Sequence, residues 1–329
     1  MKRNLLSLLL IGSLCLTGTI VYSQTSSKKP SASPVKKFDA GYLQKDAFVF
    51  FVIGDWGRNG ESHQSEVAAS MKRCAEIADP EFIVSTGDNF YTYGVASVDD
   101  PQWMSSFENV YKSNSLQIDW HPVLGNHDYH GSVKAQIDYT KKSRRWVLPS
   151  HYYTLVKKTD DDKRIRFVFM DTNPYVQKYR KKGEEYPELL QQDTLRQWKW
   201  MDSVFAVSAA EKEEWKIVVG HHPIYSSSPK HGDTKELKGT LLPKLEANHV
   251  QAYFCGHDHD LQHQKPKGSH VDHFLSGAGS EVRPTGSYEH TLFAKSVPGF
   301  ALVSIQGETL TLYYLDKEGN IVYQYTRQR

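Results

Sequence analysis

From residue 48 onward, short apolar runs alternate with stretches whose apolar positions recur at helical spacing. The run Phe48-Val49-Phe50-Phe51-Val52-Ile53 is apolar throughout, as expected of a strand covered on both faces. Residues 82–86, 121–124, 216–219 and 251–255 read the same way. Between them, helical spacing predicts helices over 62–78, 101–111, 132–140, 193–207 and 234–247. After Gly268 the pattern turns mostly to strands, at 272–276, 299–305, 310–315 and 321–325. Strands alternating with helices make an α/β architecture, and no fixed-period repeat points to a solenoid.

The N-terminus follows another rule. Lys2 and Arg3 precede an apolar stretch over 5–16, and small residues surround Ser23. This predicts a secretory signal peptide over 1–23, cut after Ser23, and a secreted or periplasmic protein. An uncleaved anchor is the alternative; no other segment is apolar enough to span a bilayer. Residues 24–46 are rich in Pro, Ser and Lys and read as a flexible linker, leaving 47–329 as one domain. The absence of any Asn-x-Ser/Thr sequon favours a bacterial envelope over a eukaryotic secretory route.

Composition then narrows the class. At 39% hydrophobic, 12% aromatic and 24% charged residues, the 329-residue chain is neither disordered nor a multi-span membrane protein. Its formal charge of +2 lacks the basic excess of a dedicated nucleic-acid binder. Cys15 leaves with the leader, and Cys74 and Cys255 are expected as buried free thiols, a disulfide between them being the alternative.

The chemistry is concentrated at the strand ends. Five apolar strands each run into Gly and then a polar ligand type: Gly54-Asp55-Trp56-Gly57, Gly87-Asp88-Asn89-Phe90-Tyr91, Gly125-Asn126-His127-Asp128, Gly220-His221-His222 and Gly256-His257-Asp258-His259. In an open α/β sheet the carboxyl ends of the strands are where sites gather. Any one of these motifs alone would be an ordinary turn or cap. Together they supply two carboxylates, an amide, three imidazoles and a phenol, enough for two metal ions sharing a ligand.

In this order the motifs resemble the calcineurin-like metallophosphoesterase superfamily. Asp55 lacks the histidine two residues on that many members carry, and Tyr91 stands three residues after Asp88. That combination resembles the purple acid phosphatases, in particular their small tartrate-resistant (type 5) branch. The resemblance spans essentially 48–329 and implies a four-layer α/β/β/α sandwich of two mixed sheets flanked by helices. It implies that Asp55, Asp88, Tyr91 and His259 hold one metal, and Asp88, Asn126, His221 and His257 the other. The first set is rich in hard anionic oxygen and suits Fe(III), and the second, mostly neutral, suits divalent Zn, Fe or Mn.

Such a centre implies a phosphomonoesterase in which an activated water attacks phosphorus directly. His127, beside Asn126, and His231, where the family places a loop histidine, are the candidate proton donors to the leaving group. Asp128 is expected to orient a neighbouring histidine, or else to be a solvated turn residue. His222 is expected to line the pocket or pack. His263, His270, His273 and His290 fall outside the motifs. Trp56, Phe90, Tyr93 and Tyr129 could form an aromatic rim or plain core, and the basic run 178–182 reads as a solvated loop. The chain also lacks the cysteine pair that ties loops near the site in mammalian relatives. The expected substrate is a small phosphomonoester or a phosphorylated peptide, with no nucleic-acid or membrane partner, acted on by a monomer. A phosphodiesterase or nucleotidase on the same scaffold is the rival enzyme. A non-catalytic metal- or phosphate-binding protein is the rival of another class.

Overall fold

The computed structural model describes residues 36–329, so the expected signal peptide and residues 24–35 of the expected linker lie outside it. The strands are β1 Phe48–Ile53, β2 Phe82–Ser85, β3 Asp119–Pro122, β4 Tyr153–Lys158, β5 Arg164–Phe169, β6 Trp215–Val219, β7 Ala252–Cys255, β8 Leu261–Gln264, β9 Asp272–Ser276, β10 Thr291–Lys295, β11 Gly299–Gln306, β12 Thr309–Asp316 and β13 Ile321–Gln328. The helices are α1 Gln64–Ala78, α2 Val133–Tyr139, α3 Gln177–Arg180, α4 Thr194–Ala210 and α5 Lys235–Ala247. One sheet has the order β13-β12-β11-β1-β2-β3 and the other β10-β8-β9-β7-β6-β5-β4. Both are mixed. β1, β2 and β3 run parallel and β11 to β13 antiparallel, while β5, β6, β7 and β9 form the parallel centre of the second sheet.

Alternation along the strands sorts side chains between layers. Phe167 of β5 faces the first sheet, its ring 5.2 Å from both Phe50 and Phe82. Its neighbour Val168 faces the other way, into a cluster with Met201, Val204 and Phe205 of α4 and Leu237, Leu241 and Leu245 of α5. On the far side, α1 buries Val67, Met71 and Cys74 against the first sheet. The expected four layers follow, each fully buried aliphatic or Phe side chain contributing about 1.5–3 kcal/mol before chain entropy is set against it. α4 begins where Asp193 accepts hydrogen bonds from the amides of Leu195 and Arg196.

Three expectations change. The helix expected over 101–111 is a short π-type coil, Trp103–Glu108, whose buried side chains join an aromatic cluster with Tyr139 stacked 3.5 Å from Trp103. β4, β5, β8 and β10 are strands outside the expected set; β8, Leu-Gln-His-Gln, is too polar to stand out, whereas β5 is mostly apolar and buried. Residues 36–46 are not a free linker. Lys37 bridges to Asn320, and buried Phe38 packs with Tyr42 and Tyr313, two aromatic anchors that a polar composition hides. Cys74 and Cys255 are free and buried in different clusters. Among the described residues no helix is long and apolar enough to cross a membrane.

Candidate metal centre

Asp55 follows β1, Asp88 and Tyr91 follow β2, and Asn126 follows β3; His221 follows β6, and His257 and His259 follow β7. Both sheets thus deliver ligands to one crevice from the ends of adjacent parallel strands. The turns are sharp: Asp55, Asp88 and His257 have φ of 58°, 48° and 71°, in the left-handed region. Non-glycine residues hold that conformation only where the surroundings enforce it, which is common at functional sites. The glycines leave room for this approach. A Cβ on Gly125 would lie 2.1 Å from Asp88 Oδ1, and one on Gly256 would lie 2.3 Å from Asp55 Oδ2.

Two groups of donors result. In the first, the Tyr91 hydroxyl oxygen lies 3.0 Å from Asp55 Oδ1, 2.9 Å from Asp88 Oδ2 and 3.0 Å from His259 Nε2. One phenol proton can satisfy only one of those three neighbours. In the second, His221 Nε2 lies 3.5 Å from Asp88 Oδ1, 3.3 Å from Asn126 Oδ1 and 3.2 Å from His257 Nδ1. Asp88 therefore turns one carboxylate oxygen to each group. His221 Nδ1 donates to the Thr86 carbonyl at 2.9 Å, which leaves the Nε2 lone pair facing the cluster.

The electrostatics fit a pair of cations. Burial and the adjacent Asp88 push the Asp55 carboxyl well above its ordinary range. Burial, with Asp55 and Asp88 beside it, likewise raises the Tyr91 phenol. Anionic oxygens crowded this closely want positive charge between them. Burial holds His221 and His257 below the usual histidine range, and burial with the charges of Arg283 and Arg58 takes His259 to about 2. Each shift favours the neutral imidazole, the form that binds metal.

The remaining site residues have distinct places. His127 is half-buried, its ring 4.5 Å from that of Tyr91, with Nδ1 2.7 Å from the Thr92 carbonyl and its amide donating to Asp88 Oδ1 at 2.8 Å. His231 lies over His257, ring centres 4.3 Å apart; burial and the charge of Lys178 lower its ring to about 4. Asp128 orients no histidine and is not solvated. Fully buried, it accepts from the amides of Asn89 at 3.0 Å and Gly125 at 2.8 Å, and from Gln136 Nε2 at 2.8 Å, tying two ligand loops together. His222 has both ring nitrogens engaged, Nδ1 with Thr172 Oγ1 at 2.8 Å and Nε2 with the Tyr179 hydroxyl at 3.3 Å. Of the four aromatics that could form a rim or plain core, Trp56, Phe90 and Tyr129 are core and Tyr93 is exposed.

A cavity of about 390 Å³ opens over Asp88, Asn126, His127, His231, His257 and His259. Its other wall is formed by Lys178, Tyr179, Lys182, Tyr186, Lys230 and Arg283, which sequence reasoning missed. The run 178–182 is a wall of the site because Tyr179 reaches back to buried His222, a contact with no local sequence signal. A larger groove of about 820 Å³, beside Ala68 and Val110, holds none of the cluster.

Residues 48–261 match the family model described as calcineurin-like phosphoesterase. The chain is 40% identical over 294 residues to purple acid phosphatase 4 of Arabidopsis thaliana, covering 84% of this chain and 82% of the relative. It is 33% identical over 297 residues to human tartrate-resistant acid phosphatase type 5, covering 84% and 90%. Among solved structures it resembles GAP50, the anchor in the inner membrane complex of Plasmodium, with a TM-score of 0.74 and 25% identity over 86% of this chain and 89% of that one.

Proposed function

The chain belongs to the calcineurin-like phosphoesterases, and from its site we propose that it is an acid phosphatase that hydrolyses phosphomonoesters at a dinuclear Fe(III)–M(II) centre. The observation that carries this is Asp88, whose Oδ2 meets the Tyr91 group at 2.9 Å and whose Oδ1 faces His221 at 3.5 Å. Asp55, Tyr91, His259 and Asp88 would hold Fe(III), the ion hard enough to keep a phenolate. Asp88, Asn126, His221 and His257 would hold Zn, Fe or Mn in the divalent state. When bound, such a pair neutralises a phosphoryl group and acidifies water, so no side-chain nucleophile is needed.

The chain's own groups do the rest. His127 is oriented by donating its Nδ1–H to the Thr92 carbonyl, so that an Nε2–H would be the proton given to the departing oxygen. His231 approaches the same cavity from the other side, in a loop held by the Asp233 carboxylate on the Ser226 amide. Asp128 keeps the loops of Asp88 and Asn126 in register. Export through the leader and cleavage after Ser23 belong to the same reading, as does action as a monomer.

Initial rates on the metal-loaded protein test it. Alkyl and aryl phosphomonoesters should turn over fastest at acid pH, with diesters slower. A protein carrying two metals that hydrolyses no phosphate ester would overturn the proposal. It would favour a binding role, the reading to which the likeness to an anchor protein lends weight.

A further inference from the structure

We propose that Lys178 and Lys230 form a second anion subsite beside the metal centre, selecting esters whose organic arm carries another phosphate. The inference rests on the phosphatase reading and names the substrate class of that same site. Of the cations on the cavity wall, Lys182 is paired with Glu185 at 3.1 Å, and Arg283 lies 3.0 Å from Glu281, a carboxylate it shares with Arg58. Lys178 and Lys230 have no carboxylate within ion-pair distance among the described residues, and Asp88 is the one carboxylate lining the cavity. The cavity therefore carries positive charge that the protein does not itself neutralise.

The segment bearing Lys178 is built into the wall. The Tyr179 hydroxyl meets His222 at 3.3 Å, the Tyr186 hydroxyl meets His130 at 3.0 Å, and the Gln177 amide donates to Glu236 at 3.0 Å. The Lys178 ammonium rests 4.7 Å from the centre of the Tyr179 ring. Lys178 is solvent-exposed, so an anion entering the cavity meets an ammonium that no carboxylate of the described residues has claimed.

The reacting phosphate does not supply that anion. A trivalent and a divalent cation, set against Asp55, Asp88, a Tyr91 phenolate and the attacking hydroxide, would leave one positive charge; a phosphate dianion cancels it with one negative charge over, fewer than the two lysines carry. The lysines remain for a second group, and the cavity, at about 390 Å³, is large enough to take more than a phosphoryl group. Two ammonium point charges suit a phosphate dianion.

Fructose 6-phosphate and fructose 1,6-bisphosphate, which leave as similar alkoxides, separate the two subsites. The metal-loaded protein should prefer the bisphosphate in kcat/KM by about tenfold, a preference that fades at high salt. In the double variant K178Q/K230Q, KM for the bisphosphate should rise and the preference collapse. Lys112→Gln, at an exposed position outside the cavity, should leave the preference intact. Inhibition by pyrophosphate should weaken in the double variant far more than inhibition by orthophosphate. Equal slowing of both esters, or no preference in the parent protein, would overturn the proposal. If the parent hydrolyses neither ester, the phosphatase reading fails instead. Calorimetric binding of pyrophosphate then decides the subsite: unchanged affinity in K178Q/K230Q refutes it, and weakened affinity supports it.

Discussion

The guanidinium carbon of Arg58 sits 3.8 Å from the centre of the Tyr91 ring. It is held there by Glu281, 3.1 Å from Nη2, and by Nε donating to the Ser280 hydroxyl at 3.2 Å. A cation over an aromatic face attracts the ring's electrons and favours the phenolate over the phenol.

Arg58 should therefore tune the colour of the iron-loaded protein. A Tyr91 phenolate on Fe(III) gives a ligand-to-metal charge-transfer band in the visible, and Tyr91→Phe should abolish it. Arg58→Met should keep the band and move it to longer wavelength, because the phenolate electrons are held less tightly. An absorption spectrum at full iron occupancy checks both; an unmoved band in Arg58→Met means the guanidinium does not touch the phenolate.

His127 should matter according to the leaving group. His127→Ala removes no ligand, so metal content should stay at two per chain. If its imidazole protonates the departing oxygen, an alkyl phosphate should slow by about 10²–10⁴-fold and an activated aryl phosphate by much less. The same ratio for both esters would mark it as a group that binds phosphate without donating.

Acid should destabilise the fold through His121. This side chain of β3 is buried among Phe82, Tyr153 and Phe169, and neither ring nitrogen has a partner. Burial, and then the charge of Lys157, lower it to about 4 from an ordinary 6.5. Between those values the unfolded chain binds a proton that the folded chain refuses, so stability falls as pH drops through that window. At pH 5 the loss is about 2 kcal/mol. His121→Phe should raise the urea midpoint at pH 5 by more than at pH 8, and an equal shift at both would exclude the titration.

The ligands were legible because each sits next to the end of its own apolar strand. Asp55 follows Phe48–Ile53 by two residues, and local pattern alone places it at a carboxyl end. The basic wall was not legible, since Lys178 owes its position to Tyr179 meeting His222, 43 residues away. Asp128 was read as a partner for a histidine because one stands beside it. Its carboxylate instead answers the unpaired amides of a loop 39 residues earlier. Phe38 was hidden by its neighbours, since two aromatics, Phe38 and Tyr42, in a Lys- and Pro-rich stretch are too few to set a periodicity.

Strand β1 lies inside its sheet, Phe50 opposite Phe82 on one side and Val303 on the other. A growing chain makes β1 early and β11 nearly last, so β1 must wait with one edge open until translation is almost complete. An apolar strand in that state pairs with whatever strand it meets. Chains that stop short of Gly299 should therefore present β1 as the open edge of a three-stranded sheet and associate more readily than the full chain.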